Sequence, residues 1–196
     1  MATEIELKAH VHNSEELKLL LSKKAEYLYA FEKRDNYWFA EKPGLPPSGL
    51  RIRTEKRCFP DGNEESLTMA TYKVKEVRDG IEINDEREFS VEPAFVLEDF
   101  LKLLGLKPVR SKEKRGWAFS KNGLTAELAE VKGLGWFVEL EIIVTAEGDT
   151  VHAGNTDGIF AQEKKRLLDF LDSLGITREA IESRFYSEML AEAANR

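Results

Sequence analysis

The sequence has a single cysteine and no long run of apolar residues. Cys58 cannot form an internal disulfide, which is typical of proteins from a reducing compartment. A helix that crosses a membrane needs about 20 consecutive apolar residues, and no stretch of this chain approaches that length. No basic-plus-apolar leader follows Met1. We therefore expect a soluble, cytoplasmic protein with no membrane partner.

Basic residues are fewer than acidic ones. The 196 residues include 29 Lys and Arg against 36 Asp and Glu, which gives a net charge of −7. A protein that binds long nucleic acids usually has the opposite excess, because its cations replace the counterions of the phosphate backbone, so we expect no such partner. The chain is long enough for one core and shows no linker or internal repeat. Residues 1–196 are therefore predicted to form a single domain.

Apolar spacing and turn residues predict an α+β fold. Four helices are expected, with an N-cap at Ser14 and further starts near Pro93, near Asp157 and after Thr177. In the second helix the stripe predicted to face the core is Phe95, Val96, Phe100, Leu103 and Leu104. Period-two alternation predicts strands near residues 3–11, 26–31, 34–40, 49–55, 67–77, 84–92, 108–119 and 124–144, the last folding into two. The turns between them are short, which favours antiparallel strands.

The charged residues of these strands are sorted by sign. Acidic pairs and basic pairs occupy alternate positions of different strands, as in Glu4 and Glu6, Glu139 and Glu141, Arg51 and Arg53, or Lys112 and Lys114. The helices need apolar sheet surface to cover, so the charged face must be the other one. About eight antiparallel strands can close into a barrel, and closure would turn the charged face inward. An interior of opposed charges is unfavourable unless metal ions and an anion bind there.

This pattern predicts a site for a phosphate chain and divalent metal ions. Carboxylates two residues apart on a strand lie about 6–7 Å apart, so pairs from neighbouring strands can converge on one cation. Ligands that are all oxygen favour Mg²⁺ or Mn²⁺ over zinc. Arginine forks and lysine ammonium groups on other strands are the usual means of holding phosphate oxygens.

Several motifs occur in an order typical of one family. They are E-x-E-x-K at residues 4–8, D-N-Y-W at 35–38, L-R-x-R at 50–53, T-x-K at 71–73, R-E at 87–88 and K-x-K at 112–114. The longest is E-V-K-G-L-G-W-F-V-E-L-E at residues 130–141, and S-R-F-Y-S-E-M-L follows at 183–190. Together they resemble the CYTH superfamily, also called the triphosphate tunnel metalloenzymes, over nearly the whole chain.

The resemblance implies an eight-stranded antiparallel β-barrel with flanking helices, a linear triphosphate as substrate, and Mg²⁺ or Mn²⁺ as cofactor. Carried over motif by motif, the implied metal ligands are Glu4, Glu6, Glu139 and Glu141, assisted by Glu88 and Glu127. The implied phosphate ligands are Lys8, Arg51, Arg53, Lys73, Lys112 and Lys114, with Lys75 and Arg115 as further members. The implied catalytic set is Lys8, Tyr37, Lys73, Glu139 and Glu141.

Two positions depart from the family pattern. Ala129 stands where the family commonly has a metal-binding Asp, and Glu127 on the same face is expected to compensate. Trp38 stands where thiamine triphosphatases have a second Tyr that acts with a Lys as a base. Thiamine triphosphate is therefore disfavoured as the substrate unless Tyr37 takes over that role.

The resemblance predicts a metal-dependent triphosphatase, in which positioning and electrostatics need no Ser, Cys or His nucleophile. The second hypothesis, which the resemblance also implies, is a class IV adenylate cyclase, which converts ATP to cyclic AMP and pyrophosphate. A third hypothesis, based on Ala129, is a non-catalytic protein that binds polyphosphate or a nucleotide. The expected partner is in each case a small-molecule triphosphate, and the sequence leaves a monomer and a homodimer open.

Overall fold

Eight antiparallel strands close into a barrel in the computed structural model, which describes residues 2–40, 48–78, 80–145 and 156–194. The strands are β1 (Ala2–His10), β2 (Glu26–Ala40), β3 (Ser48–Cys58), β4 (Glu64–Arg78), β5 (Ile81–Ser90), β6 (Lys107–Lys121), β7 (Leu124–Val131) and β8 (Gly135–Thr145). Around the barrel their order is β1-β5-β4-β3-β2-β6-β7-β8, and β1 closes it by pairing with both β5 and β8. The predicted α+β class and eight-stranded antiparallel barrel are confirmed.

The strand β2 is continuous where the sequence predicts two strands. The charged residues at its centre do not break it, because Lys33 and Asp35 are buried inside the barrel while Glu32 and Arg34 are exposed outside. Both faces of β2 are charged here, which removes the apolar alternation on which the prediction relied.

Within the described residues, four α-helices flank the barrel: α1 (Ser14–Lys24), α2 (Ala94–Leu103), α3 (Thr156–Ser173) and α4 (Tyr186–Ala194). The N-cap of α1 is Asn13 and not Ser14 as predicted, because the Asn13 side chain accepts a hydrogen bond from the Glu16 backbone N–H at 3.2 Å. None of the described helices is both long enough and apolar enough to cross a membrane.

The segment between α3 and α4 is mostly irregular, although the sequence predicts that the last helix begins after Thr177. One turn of 3-10 helix forms at Arg178–Ala180. The chain then runs beside β1, where Ile181 forms an antiparallel bridge with Ala9. This pairing commits the backbone to the extended conformation, so α4 begins only at Tyr186.

The apolar face of the barrel points outward, beneath the helices. α1 and α3 cover one side, where the buried core includes Ile5, Leu7, Leu17, Leu21, Leu128, Leu140, Leu167 and Leu171. α2 covers a second side and packs against Trp38 and Ile52. The charged face is therefore turned into the barrel. An eight-stranded barrel has room inside for side chains and one small ligand.

The stripe of α2 that was predicted to face the core is instead exposed. Leu101 is buried and Leu97 packs beside it, on the barrel. The predicted residues point away from the barrel and are more than half exposed: Phe95, Val96, Phe100, Leu103 and Leu104. The apolar stripe of α2 is wider than the part that packs on the barrel, so periodicity alone does not identify which apolar residues face inward.

Candidate functional site

Strand pairing places carboxylates side by side on one wall of the barrel interior. Glu6 of β1 lies directly opposite Glu82 of β5 on one side and Glu141 of β8 on the other. Glu4 lies opposite Asn84 of β5. Because side chains alternate along a strand, these residues share the inward face with Lys8.

A basic wall faces this acidic one, and its centre is Asp35 of β2. The Arg53 guanidinium donates two hydrogen bonds to Asp35, at 2.7 and 3.0 Å, and Lys112 Nζ lies 3.2 Å from the same carboxylate. Burial of Asp35 opposes its ionisation, but Arg53 and Lys112 outweigh burial and hold the pKa of Asp35 well below its usual range. The Tyr37 hydroxyl donates to Asp35 at 3.3 Å. Asp35 therefore orients two of the predicted phosphate ligands.

Two buried lysines and two glutamates form a second cluster deeper in the barrel. Lys114 Nζ lies 2.6 Å from Glu139 and 3.5 Å from Glu127, and Lys33 donates to Glu127. Burial opposes ionisation of both carboxylates, but the lysines outweigh it and lower the pKa of each. Burial likewise opposes the charge of Lys114, yet the two carboxylates raise its pKa above the usual value. All these groups except Lys33 were predicted as site residues.

The helix α4 closes one end of the barrel with Tyr186. Its ring packs against Phe137, and its hydroxyl donates a hydrogen bond to Glu139. The ammonium groups of three lysines surround the same ring at 5.0 to 5.6 Å from its centre, and they belong to Lys8, Lys112 and Lys114. Burial, followed by the Glu139 charge, raises the pKa of Tyr186 well above its usual value, so the phenol stays protonated.

Two further ion pairs lie on the inward face of the barrel. Lys8 is buried and its Nζ donates to Glu82 at 2.8 Å. Arg51 donates to Thr71 at 3.0 Å and to Glu88 at 3.1 Å. The predicted metal ligand Glu88 is thus a partner of a predicted phosphate ligand.

The structure brings most of the predicted site residues onto the inward face. They are Glu4, Glu6, Lys8, Tyr37, Arg51, Arg53, Glu88, Lys112, Lys114, Glu127, Glu139 and Glu141. The side chains of Lys73 and Lys75 lie outside the described part of the structure, although their backbones pair with Glu86 and Asn84 of β5.

Arg115 is the exception among the predicted phosphate ligands. It lies between the inward residues Lys114 and Gly116 of β6, so alternation turns it to the outer surface. There it is exposed and forms an ion pair with Glu130 at 2.6 Å. The assignment of Arg115 to the interior is therefore wrong.

Several of the described inward residues were not predicted as part of the site. They include Lys33, Asp35, Glu55, Thr71, Glu82, Asn84 and Tyr186. Lys33 and Asp35 stand at i, i+2 positions before Tyr37, which is the same signal that identified the other pairs. Glu82 and Asn84 show this spacing too. Tyr186 gave no such signal because it enters the barrel from a helix.

The interior offers the oxygen donors that a divalent cation prefers, but they are not gathered into a finished site. Among the described residues, no group of three or more His, Cys, Asp or Glu side chains is arranged to hold a metal ion. Asn84 is fully buried, and neither its Oδ1 nor its Nδ2 has a hydrogen-bond partner among the described residues. An unpaired buried amide is unfavourable by about 1–3 kcal/mol, so a ligand that pairs with it is favoured. Carboxylates beside an amide oxygen suit Mg²⁺ or Mn²⁺ in donor chemistry.

Comparison with known proteins identifies relatives of the whole barrel. The family model described as the CYTH domain matches residues 2–186. No curated protein matches the chain. Among solved structures, the PH1012 protein of Pyrococcus horikoshii has a TM-score of 0.70 at 26% identity, over 94% of this chain and 98% of that one.

Two more distant structures show the same fold. A proposed adenylate cyclase from Vibrio parahaemolyticus has a TM-score of 0.70 at 17% identity, over 96% of this chain and 97% of that one. The Hippeastrum protein HpAC1, described as a proposed adenylyl cyclase with a dominant triphosphatase activity, has a TM-score of 0.62 at 17% identity, over 100% and 97% of the two chains.

Proposed function

Because the chain belongs to the CYTH domain family, we propose that it hydrolyses a linear triphosphate, inorganic or organic, inside its barrel with the help of Mg²⁺ or Mn²⁺. Members of the family are typically triphosphatases or cyclases and generally depend on a divalent metal. The substrate, the metal and the residue roles below are parts of this proposal.

The observation that carries the proposal is the convergence of Lys8, Lys112 and Lys114 around the ring of Tyr186. All three lysines are buried. Burying ammonium groups is unfavourable even when each has a carboxylate partner, and apolar residues would stabilise the barrel more. Binding of a polyanion would explain why these lysines are buried. The polyanion would gain three charged hydrogen bonds in a site shielded from water.

The arginines add planar donors that are already oriented. Asp35 holds Arg53 by two hydrogen bonds, and Thr71 with Glu88 holds Arg51. A guanidinium fixed in this way binds phosphate oxygens in a fork without losing much side-chain freedom on binding. Such preorganised cations also stabilise the charge that develops on the transferring phosphoryl group.

Substrate binding would exchange one set of ion pairs for another. Lys114 is now held by Glu139 and Glu127. If Lys114 instead binds phosphate oxygens, both carboxylates become available to bind the metal or the attacking water. Glu139 would then keep its orientation through Tyr186, whose hydroxyl binds its other oxygen.

The residues that would hold the metal are Glu4, Glu6 and Glu141 with the amide oxygen of Asn84, joined by Glu139 and Glu127 as the lysines release them. A divalent cation bound there would neutralise phosphate charge and lower the pKa of a bound water. Lys8 and Tyr37 complete the catalytic set together with Lys73.

A class IV adenylate cyclase is the second candidate, favoured by the cyclase description of the Vibrio parahaemolyticus and Hippeastrum proteins. In that reaction the ribose 3′-hydroxyl of ATP attacks the α-phosphate and pyrophosphate leaves. The same basic wall would bind the triphosphate. The difference lies in which phosphorus atom is placed next to the nucleophile.

One substrate panel separates these functions. Tripolyphosphate, thiamine triphosphate, ATP and GTP are each incubated with Mg²⁺ and with Mn²⁺, and phosphate, pyrophosphate and cyclic nucleotide are measured. We expect phosphate release from tripolyphosphate or a nucleoside triphosphate. Cyclic AMP with equal pyrophosphate would identify the cyclase, and tight binding with no product would identify a binding protein. Activity on monoesters alone would overturn the proposal.

A variant pair ties the activity to the interior. Glu139→Gln removes the inward carboxylate, whereas Glu130→Gln changes a carboxylate on the outer surface. We expect the first to reduce turnover by about 100-fold or more and the second to leave it unchanged. Equal activities in both variants would exclude the interior as the active site.

A further inference from the structure

The outer surface of α2 carries several large apolar side chains around an exposed ion pair of Asp99 and Lys102. While Leu97 and Leu101 pack on the barrel, the opposite side of the helix and the strands next to it expose large apolar side chains. We name this set the α2 surface; its members are between 41% and 86% exposed and are Tyr72, Phe89, Phe95, Val96, Phe100, Leu103 and Leu104.

Strand pairing places the strand residues of the α2 surface next to the part of the barrel that α2 covers. Ile52, beneath α2, pairs with Ala70, and Ala70 pairs with Phe89 on the same outward face. Tyr72 pairs with Leu50, which packs in the cluster beneath α2. Helix and strand residues therefore form one patch.

The size of the α2 surface matches one side of a stable protein interface. With roughly 150–250 Å² of surface on a large apolar side chain, the exposed fractions of its seven residues add up to roughly 600–1,000 Å². A standard interface buries about 800 Å² on each partner. The largest apolar patch of a typical monomer is about 300–600 Å².

We propose that the α2 surface binds the α2 surface of a second copy of this chain, with the two helices antiparallel across a two-fold axis. Such an interface needs a patch that is complementary to itself. Acidic Glu92 and Asp99 are in the first part of the α2 region, and basic Lys102 and Lys107 are in the last part. Antiparallel helices place each acidic part opposite the basic part of the other copy.

The central charges fit this arrangement. On the exposed side of α2, Lys102 Nζ lies 2.9 Å from Asp99 Oδ1. If the two-fold axis passes beside Phe100, Asp99 of each copy faces Lys102 of the other, and both ion pairs are retained across the interface. An anionic membrane is a poorer occupant, because Glu92 and Asp99 would be repelled by its surface charge.

The test is the mass of the full chain in solution, measured by sedimentation equilibrium between about 1 and 100 μM. We expect a dimer with a dissociation constant in or below this range. The double variant Phe100→Asp, Leu103→Asp places negative charges at the centre of the α2 surface in each copy. It is expected to raise the dissociation constant of the dimer by at least about 100-fold. The matched control is Leu19→Asp, which changes a leucine of α1 that is 65% exposed and is expected to leave the dimer intact.

A charge exchange tests the orientation. Asp99→Lys alone opposes like charges across the axis and is expected to weaken the dimer by about 5- to 30-fold. Asp99→Lys combined with Lys102→Asp restores both pairs and is expected to recover most of that loss. A double variant as weak as the single one would overturn the antiparallel arrangement.

Circular dichroism checks that each variant folds, and the activity of the interior is expected to remain because the α2 surface lies outside the barrel. A wild-type chain that stays monomeric at 100 μM would overturn the proposal, as would a dimer that the α2 variants do not weaken.

Sedimentation with neutral and anionic phospholipid vesicles is measured in parallel. A monomer that binds them through the α2 surface would assign that surface to a membrane and overturn the proposal as well.

Discussion

Tyr186 of α4 donates a hydrogen bond to Oε1 of Glu139, and the other oxygen of this carboxylate binds Lys114 at 2.6 Å. Glu139 is thus held from the end of the barrel by a helix and from inside by a strand. Two charged hydrogen bonds in different directions fix the plane of the carboxylate. The closing helix therefore takes part in the geometry of the interior.

The Tyr186→Phe variant removes the hydroxyl and keeps the ring among the lysines. We expect the free energy of unfolding to fall by about 1.5–3 kcal/mol, because a hydrogen bond to a charged group contributes that much. Turnover is expected to fall more than substrate affinity, since the three lysines remain in place. Urea unfolding and steady-state kinetics measure both effects. Tyr72→Phe, on the outer surface, is the control, and a Tyr186→Phe protein that matches it would contradict the role of α4.

Arg53 and Arg115 are a matched pair of arginines, one inside the barrel and one outside. Arg53→Lys keeps a positive charge but loses the fork that binds Asp35. We expect the dissociation constant for tripolyphosphate to rise by about 10- to 100-fold, while Arg115→Lys leaves it unchanged. Isothermal titration calorimetry, under conditions in which tripolyphosphate is not turned over, measures the dissociation constants of both variants. Similar losses in the two variants would show that binding depends on overall charge and not on the interior.

Alternation in the sequence was sufficient to find the inward face of most strands. The i, i+2 acidic and basic pairs identified the walls correctly because period two is a property of each strand by itself. The same rule would have excluded Arg115, which follows the inward Lys114 directly. Arg115 was implied by the family resemblance, and for this residue the local alternation of the strand is the better guide.

Contacts between distant segments could not be predicted in the same way. Lys8 binds Glu82 and Tyr186 binds Glu139 only because the barrel closes and α4 returns to its end. The exposed apolar residues of α2 could not be predicted either, since the apolar stripe of this helix is wider than the part that packs on the barrel, and periodicity does not show which part that is. These features depend on packing between elements and not on the pattern within one.

Asn84 gives a prediction that distinguishes a ligand-binding role from a structural one. Asn84→Leu replaces a buried amide that has no hydrogen-bond partner in the described part of the chain by an apolar group of similar size. We expect the metal-free protein to be stabilised by about 1–3 kcal/mol, and the added stabilisation by Mg²⁺ with tripolyphosphate to be largely lost. Thermal unfolding with and without these ligands measures both. A less stable variant with the full ligand effect would mean that Asn84 serves the fold alone.

The charge of Lys112 predicts how binding depends on pH. Burial lowers the pKa of Lys112 to about 8, although Asp35 beside it acts in the opposite direction. A bound polyanion favours the charged form and raises this pKa, so binding above pH 8 must be accompanied by proton uptake. The affinity for tripolyphosphate is therefore expected to be full below pH 8 and to fall above it, by up to about tenfold per pH unit.

Lys112→Arg is the matched control for this prediction, because an arginine keeps its charge throughout the range. The ligand's own ionisation affects both proteins equally and cancels in the ratio of their affinities. Calorimetry in buffers of different ionisation enthalpy counts the protons taken up, and we expect up to one more in the wild type than in the variant at pH 9. Identical pH profiles and proton counts would show that Lys112 does not titrate on binding, and would place the phosphate chain away from the basic wall centred on Asp35.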